Sequence, residues 1–336
     1  MSINRIEIKK FTVFTDITIN TNCGINVIIG DNGTGKTHLL KLIYAVWLKR
    51  QDFLFFLNKI FYMHREFANI GYRRIEYDNN FIEEQLTESI SKDESKESTY
   101  DGETWFVASG EVRAIIESTS LYYPVFIPAK EMLSMSNLTR IDDRFSNDLS
   151  IDMTLTDIIR KAQSIKPNKP PHLSAKITPI LEKIINGRVF LKEDNSFWVR
   201  KNDQTEIPFS MEAEGYRKFG LIWQLIMNES IHSGSVLLWD EPEANINPRH
   251  ISDLVKIMLE LSRNSVQIFI ATHDYFLAKY IEVLSNENDS IGYHSLYKTN
   301  DGVKCESGDK FTTLINNDIQ EEKVRLYEAE INKVTG

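Results

Sequence analysis

The segment Gly30-Asp31-Asn32-Gly33-Thr34-Gly35-Lys36-Thr37 satisfies the pattern GxxxxGK[ST] at every fixed position. Each residue type there answers a need of phosphate chemistry. Glycines let main-chain N–H groups turn toward phosphate oxygens, Lys36 offers an ammonium to the β and γ charges, and Thr37 offers a hydroxyl to Mg²⁺. A helix starting at this point adds its positive dipole end. The pattern implies a nucleoside triphosphate held by Gly30, Asn32, Gly33, Thr34, Gly35, Lys36, Thr37 and the adjoining His38, with Mg²⁺ as cofactor. Chance alone produces such a match in roughly one chain of this length in a hundred.

Two acids close a second apolar run, Val236-Leu237-Leu238-Trp239-Asp240-Glu241. A buried parallel strand delivers its last residues to the carboxyl edge of a sheet, where ligands bind. Asp240 is then placed to hold Mg²⁺, directly or through water, together with Thr37, and Glu241 to take a proton from an attacking water. A third apolar run ends in Ala271-Thr272-His273-Asp274, which puts His273 at the same edge, within reach of a γ-phosphate. Two acids that merely cap a strand and a structural histidine are the bland alternatives; the phosphate loop upstream weighs against both. The other six histidines show no metal-ligand spacing, and Cys23 and Cys305 are too few for a disulfide framework or a zinc site.

The elements that must carry these residues are legible from periodicity. Ile6, Ile8, Phe11, Val13, Ile17 and Ile19 alternate with polar residues as in half-buried antiparallel strands. Asn26 to Ile29 reads as a short strand entering the loop, and Leu39, Leu42, Ile43 and Val46 follow at helical spacing. Residues 76 to 104 are rich in Glu, Asp, Ser and Asn and read as a solvated excursion. Residues 130 to 187 read mainly helical, broken at Pro167, Pro170 and Pro171, and Arg188 to Pro208 as a hairpin turning at Asp194 and Asn195. Phe219, Ile222, Trp223 and Ile226 mark a helix before the acidic strand. Asn247 and Pro248 open another, faced by Ile251, Leu254, Val255 and Met258, before the strand Gln267 to Ala271.

The chain has 336 residues, 42% hydrophobic and 26% charged, the balance of a globular protein. No window is apolar for the ~18 residues a membrane helix needs, and no basic-then-apolar leader opens the chain. A cytoplasmic location without membrane partners is expected. A net charge of −9 excludes global attraction to nucleic acid, so DNA is a candidate partner only through a local patch. Arg160, Lys161, Lys166, Lys169, Lys176 and Lys183 form the one candidate, with a solvated helical face as the competing reading.

The phosphate loop, then Asp240-Glu241-Pro242-Glu243, then His273, in this order and spacing, resemble the ABC ATPase superfamily, specifically its SMC, RecF and OLD-like branch. Ile127-Pro128-Ala129-Lys130-Glu131 looks like that branch's Q-loop region, and Glu212-Ala213-Glu214-Gly215-Tyr216-Arg217-Lys218 sits where its signature motif belongs. The resemblance implies an α/β P-loop NTPase fold, an ABC-type ATPase head with an antiparallel β subdomain and an inserted helical lobe. The expected parts are an N-terminal lobe over 1–129, the inserted lobe and hairpin over 130–209 and a C-terminal lobe over 210–336.

The resemblance also implies an ATP-dependent homodimer or higher homo-oligomer. Two heads would sandwich ATP between one subunit's phosphate loop and the other's signature, with Glu241 as catalytic glutamate, His273 as switch histidine and Asn247 at the D-loop position. The signature serine is replaced by Ala213, and Lys130 or Glu131 stands where a glutamine is expected, so hydrolysis should be slow. Arg217 or Lys218 could add positive charge across the dimer, or be ordinary surface residues opening a helix. The short stretch after His273, ending in the helical-looking Glu322 to Val334, is too small for the TOPRIM nuclease that OLD relatives often carry. The expectation is a stand-alone OLD-like ATPase controlling a separate effector, such as a nuclease, in defence against phage or foreign DNA. The alternatives are a non-catalytic ATP-dependent scaffold and, disfavoured by the missing LSGGQ-like signature, a transporter subunit.

Overall fold

The computed structural model describes residues 2–48, 60, 99–100, 104–109, 112–118, 124–140 and 152–335. Strands β1 (Ile3–Phe11) and β2 (Phe14–Asn20) form the antiparallel hairpin expected from the opening alternation, pairing Ile6 with Ile19 and Ile8 with Ile17. Strand β3 (Ile25–Gly30) runs into the glycine-rich loop and helix α1 (Lys36–Leu48). Of the solvated excursion expected over 76 to 104, residues 76–98 and 101–103 lie outside the described residues. Thr99 and Tyr100 form β4 instead, followed by β5 (Thr104–Ser109) and β6 (Val112–Ser118), which extend the hairpin from the outer edge of β1.

Strand β7 (Pro124–Ile127) precedes a 3₁₀ segment, helix α2 (Met153–Ala162) and helix α3 (Ser174–Ile185). A small antiparallel sheet follows, β8 (Gly187–Leu191), β9 (Phe197–Lys201) and β10 (Glu206–Pro208), with its first turn at Asp194 and Asn195 as read. Asn195 tolerates the left-handed conformation that turn requires, at φ 59°. Helix α4 (Glu214–Met227), β11 (Val236–Asp240), α5 (Ile251–Arg263), β12 (Gln267–Ala271) and α6 (Tyr275–Leu284) complete the motif-bearing part. Strands β13 (Ile291–Thr299) and β14 (Gly302–Gly308) and helix α7 (Asp318–Thr335) follow.

Among the described residues the large sheet has eleven strands in the order β4-β5-β6-β1-β2-β14-β13-β3-β12-β11-β7. The end formed by β13, β3, β12, β11 and β7 is parallel and covered on both faces. Period-2 alternation sends Val27, Ile29, Leu237, Trp239, Ile268 and Ile270 into one apolar cluster with α4, α5 and α6. It sends Ile28, Leu238 and Phe269 into a second cluster with α1 and the β1–β2 hairpin. Ile158, Ile177, Leu181, Val189 and Phe197 of the segment between β7 and α4 join the first cluster.

Strand order decides the placement of the chemistry. Strand β12 lies between β3 and β11, with Ala271 level with both Asp240 and Ile28. The loop after β3, the acids after β11 and the histidine after β12 therefore emerge side by side at one carboxyl edge.

Candidate functional site

The phosphate loop is built by sterics as much as by charge. A Cβ on Gly30 would sit 2.2 Å from the Leu296 carbonyl oxygen of β13, and Gly30 adopts φ 145°, so only glycine fits. Gly35, at φ 90°, faces Phe14 and Val13, and a Cβ there would meet both at 2.6 Å. The turn is closed by Thr34, whose hydroxyl donates to the Asp31 carbonyl at 2.8 Å, and by the Asn32 amide, which donates to the Asp31 carboxylate at 2.6 Å.

Lys36 is buried and folds back over the loop, donating to the carbonyls of Gly30 at 2.7 Å and Asp31 at 3.0 Å. Burial lowers its pKa, and the nearby Glu241 and Asp240 oppose that shift. Thr37 donates its hydroxyl to the Asp240 carboxylate, 3.0 Å from Oδ1 and 2.9 Å from Oδ2, across 203 residues of chain. Burial pushes Asp240 up to about 6, partly offset by that hydrogen bond. His38 is half-buried in the first turn of α1, its pKa driven down to about 4 by burial and by Lys41, so its ring is neutral at physiological pH.

Glu241 leaves the strand in the left-handed region at φ 45°, with its amide donating to the Ala271 carbonyl at 2.8 Å. Its carboxylate Oε1 lies 3.4 Å from His273 Nδ1, and both side chains are partly open to solvent. All the residues read from the sequence as phosphate-, metal- or water-handling thus converge on one edge. The all-oxygen pair Thr37 and Asp240 suits a hard cation that keeps most of its waters, the preference of Mg²⁺. Among the described residues no cluster of three His, Cys, Asp or Glu side chains forms a metal cage.

Sequence reasoning missed three charged residues here. Lys218, left open in sequence between a charge across the dimer and an ordinary surface residue, is 2% exposed and donates to the Glu241 carbonyl at 2.9 Å, with burial lowering its pKa to about 8. Glu243 accepts from the Thr272 hydroxyl at 2.6 Å, and that oxygen in turn accepts from the Asp274 amide at 2.9 Å, fixing both flanks of His273. Burial raises Glu243 to about 7. Lys298 reaches from β13 to the Asn32 carbonyl at 2.8 Å and lies 3.4 Å from Asp31. Only Glu243 had a local signal, the repeated acid in Asp240-Glu241-Pro242-Glu243.

The two weaker motifs are also placed. Ala213 is the N-cap of α4 and makes no side-chain capping bond. A Cβ on Gly215 would meet the Asn245 carbonyl at 2.8 Å, so the signature-like turn presses against the segment that follows Glu241. Asn247 accepts from the Arg249 amide at 3.1 Å and so caps a short 3₁₀ turn, Pro248–His250, that leads into α5. In the Q-loop-like segment Lys130 is exposed, whereas Glu131 points inward, accepts from the Leu133 and Ser134 amides and lies 3.3 Å from Arg217. Arg217 and Lys218 are therefore committed within the chain and are not free surface cations.

Of the six basic residues of the candidate patch in the inserted segment, two are ion-paired and a third lies over an aromatic ring. Lys161 pairs with Asp157 and Lys176 with Glu260, while Lys166 lies over the Trp223 ring at 4.4 Å. Among the described residues no helix is long and apolar enough to cross a membrane.

This mixed sheet, with its phosphate loop after β3 and acidic edge after β11, is the fold of an ABC-type P-loop ATPase head. The SMC head in the structure "SmcHead bound to the C-winged helix domain of ScpA" superimposes on it with a TM-score of 0.50 at 12% identity, over 92% of this chain and 98% of that one. An SMC head domain from Thermotoga maritima aligns with a TM-score of 0.43 at 13% identity, over 91% and 98% of the two chains. The chain belongs to the family described as "AAA domain, putative AbiEii toxin, Type IV TA system", whose model matches residues 61–279. Short matches reach the DNA replication and repair protein RecF of Shewanella piezotolerans, 42% identical over 50 residues, and of Psychromonas ingrahamii, 44% identical over 50 residues. Each covers 15% of this chain and 14% of the relative's length.

Proposed function

We propose that this chain is an ATP-binding and ATP-hydrolysing head of the stand-alone OLD-like kind, which closes around ATP as a homodimer or higher homo-oligomer. In this reading closure controls a separate effector protein, such as a nuclease, or the engagement of DNA, in cytoplasmic defence against phage or other foreign DNA. The carrying observation is the bond between Thr37 and Asp240, which brings the loop after β3 and the acidic edge of β11 into one site. The family description, with its type IV toxin–antitoxin system, supports a defence setting.

The residues divide the work as follows. Lys36 exchanges its bonds to the Gly30 and Asp31 carbonyls for the β and γ oxygens of ATP. Thr37 and Asp240 would hold Mg²⁺, which supplies charge neutralisation at those oxygens. Glu241 would accept the proton of the attacking water, with His273, beside it and exposed, available to the γ-phosphate. Gly30, Asn32, Gly33, Thr34, Gly35 and His38 shape and line the cradle through their backbone.

A second reading, an ATP-dependent scaffold with little turnover, is favoured by Ala213, which brings no hydroxyl to the start of α4. The experiment for the main reading is calorimetric titration of ATP into wild type and Lys36→Ala. Removing the ammonium takes away the main side-chain counterion of the phosphates, so binding is lost. Unchanged affinity in the variant defeats the assignment.

A further inference from the structure

Helix α7 spans Asp318–Thr335, and every residue from Glu321 to Val334 is exposed. A helix packed on a protein body hides at least one stripe, yet here about four turns are open around the whole circumference. A free helical segment of this length is marginal in water, so a covering partner adds to its stability.

Its apolar residues are ordered for one kind of cover. Val324, Tyr327, Ile331 and Val334 recur at spacings of three, four and three, one seam of a heptad pattern with Val324 and Ile331 at a and Tyr327 and Val334 at d. These four side chains are 50%, 61%, 43% and 86% exposed. Leu326, at c, lies on the outer face away from the seam.

The flanking charges identify the occupant. Lys323 falls at g and Glu328 at e, and in a parallel pair a g residue faces the partner's e residue five positions on. Lys323 of one copy thus meets Glu328 of the other, and symmetry makes the contact twice, as an isologous interface requires. An antiparallel arrangement would set Glu328 against Glu328 and Glu330 against Glu330 across the seam. Among the described residues Lys323 lies 5.7 Å from the Tyr275 ring and forms no ion pair.

We propose that α7 is a self-association helix through which two copies of this chain pair in parallel along the Val324–Val334 seam without nucleotide. The pairing uses no atom of the phosphate site and stands or falls apart from the ATPase reading. It would hold two heads near each other, so that any nucleotide-driven contact between them becomes intramolecular and needs less affinity of its own.

Light scattering of the full chain over a concentration series in nucleotide-free buffer reads the proposal. Wild type gives the mass of two chains at high concentration and of one on dilution. Ile331→Asp, at an exposed position that leaves the body's melting temperature unchanged, weakens the dimer by more than about tenfold. Lys323→Glu also weakens it, and Lys323→Glu combined with Glu328→Lys restores it. A wild type that stays monomeric, a dimer indifferent to Ile331→Asp, or a charge swap that fails to restore pairing overturns the proposal.

Discussion

The Lys218 ammonium donates a 2.9 Å hydrogen bond to the main-chain oxygen of Glu241, tying helix α4 to the turn that aims the candidate base. That turn holds Glu241 at φ 45°, a conformation uncommon for a residue with a side chain, so something outside the strand must hold it there.

Lys218→Met removes the donor and leaves a part-buried carbonyl without that partner. A loss of about 1–3 kcal/mol in unfolding free energy is expected. ATP hydrolysis should fall further than ATP affinity, because Lys36 and the phosphate loop are untouched. Chemical denaturation alongside steady-state kinetics measures both, and a variant with wild-type kcat shows that the bond does not position Glu241.

Glu241→Gln keeps the shape of the side chain but not its capacity to take a proton. ATP binding should persist while hydrolysis falls by ~10² to 10⁴. The comparison is made with phosphate-release assays in the presence of candidate effector proteins and DNA. If wild type turns over no faster than the variant under every condition, Glu241 is not a working base and the scaffold reading replaces the enzyme.

Mg-ATP added to the Glu241→Gln protein should drive the heads together, because the signature-like turn at Gly215 and the phosphate loop belong to different elements and one head is proposed to complete the other's site. Small-angle scattering detects the closure as a compact two-head particle. An unchanged scattering profile on adding Mg-ATP contradicts it.

Glu243 gives the nucleotide-free chain a pH dependence whose sign can be stated. Its folded pKa of about 7 exceeds the ordinary 4.5. The folded state therefore holds the proton more tightly, and the group favours folding fully below pH 4.5 and loses that effect as pH rises through 7. Glu243→Gln does not titrate, so its stability advantage over wild type should grow from pH 5 to pH 8, by at most roughly 3 kcal/mol. Urea midpoints of both proteins at the two pH values check this; a gap that stays constant or narrows argues against a buried, proton-holding Glu243.

Much of the site is legible in the chain because its chemistry depends on residues that are neighbours in sequence. A loop that wraps phosphate must place Gly30, Gly33, Gly35, Lys36 and Thr37 within one turn, and a strand that delivers a metal ligand and a base must end in Asp240 and Glu241. Periodicity likewise marked β1, β2, β3, β11 and β12, since alternation or an unbroken apolar run reports directly on burial. The capping role of Asn247 was readable for the same local reason.

What only the tertiary structure decided is which of these ends are adjacent and what lies beneath them. The order β3-β12-β11 puts His273 beside Glu241 and Thr37 against Asp240, a choice of strand neighbours that no periodicity encodes. Lys218 and Arg217 read in sequence as cations for a dimer partner or for the surface, and are drawn inward because the packing of α4 offers a carbonyl to one and a carboxylate to the other. The bond from Thr272 to Glu243 spans 29 residues, and the approach of Lys298 to Asp31 spans 267. Contacts of that separation arise from chain topology, and the energy of burying a charge or satisfying a carbonyl is set by whatever that topology brings alongside.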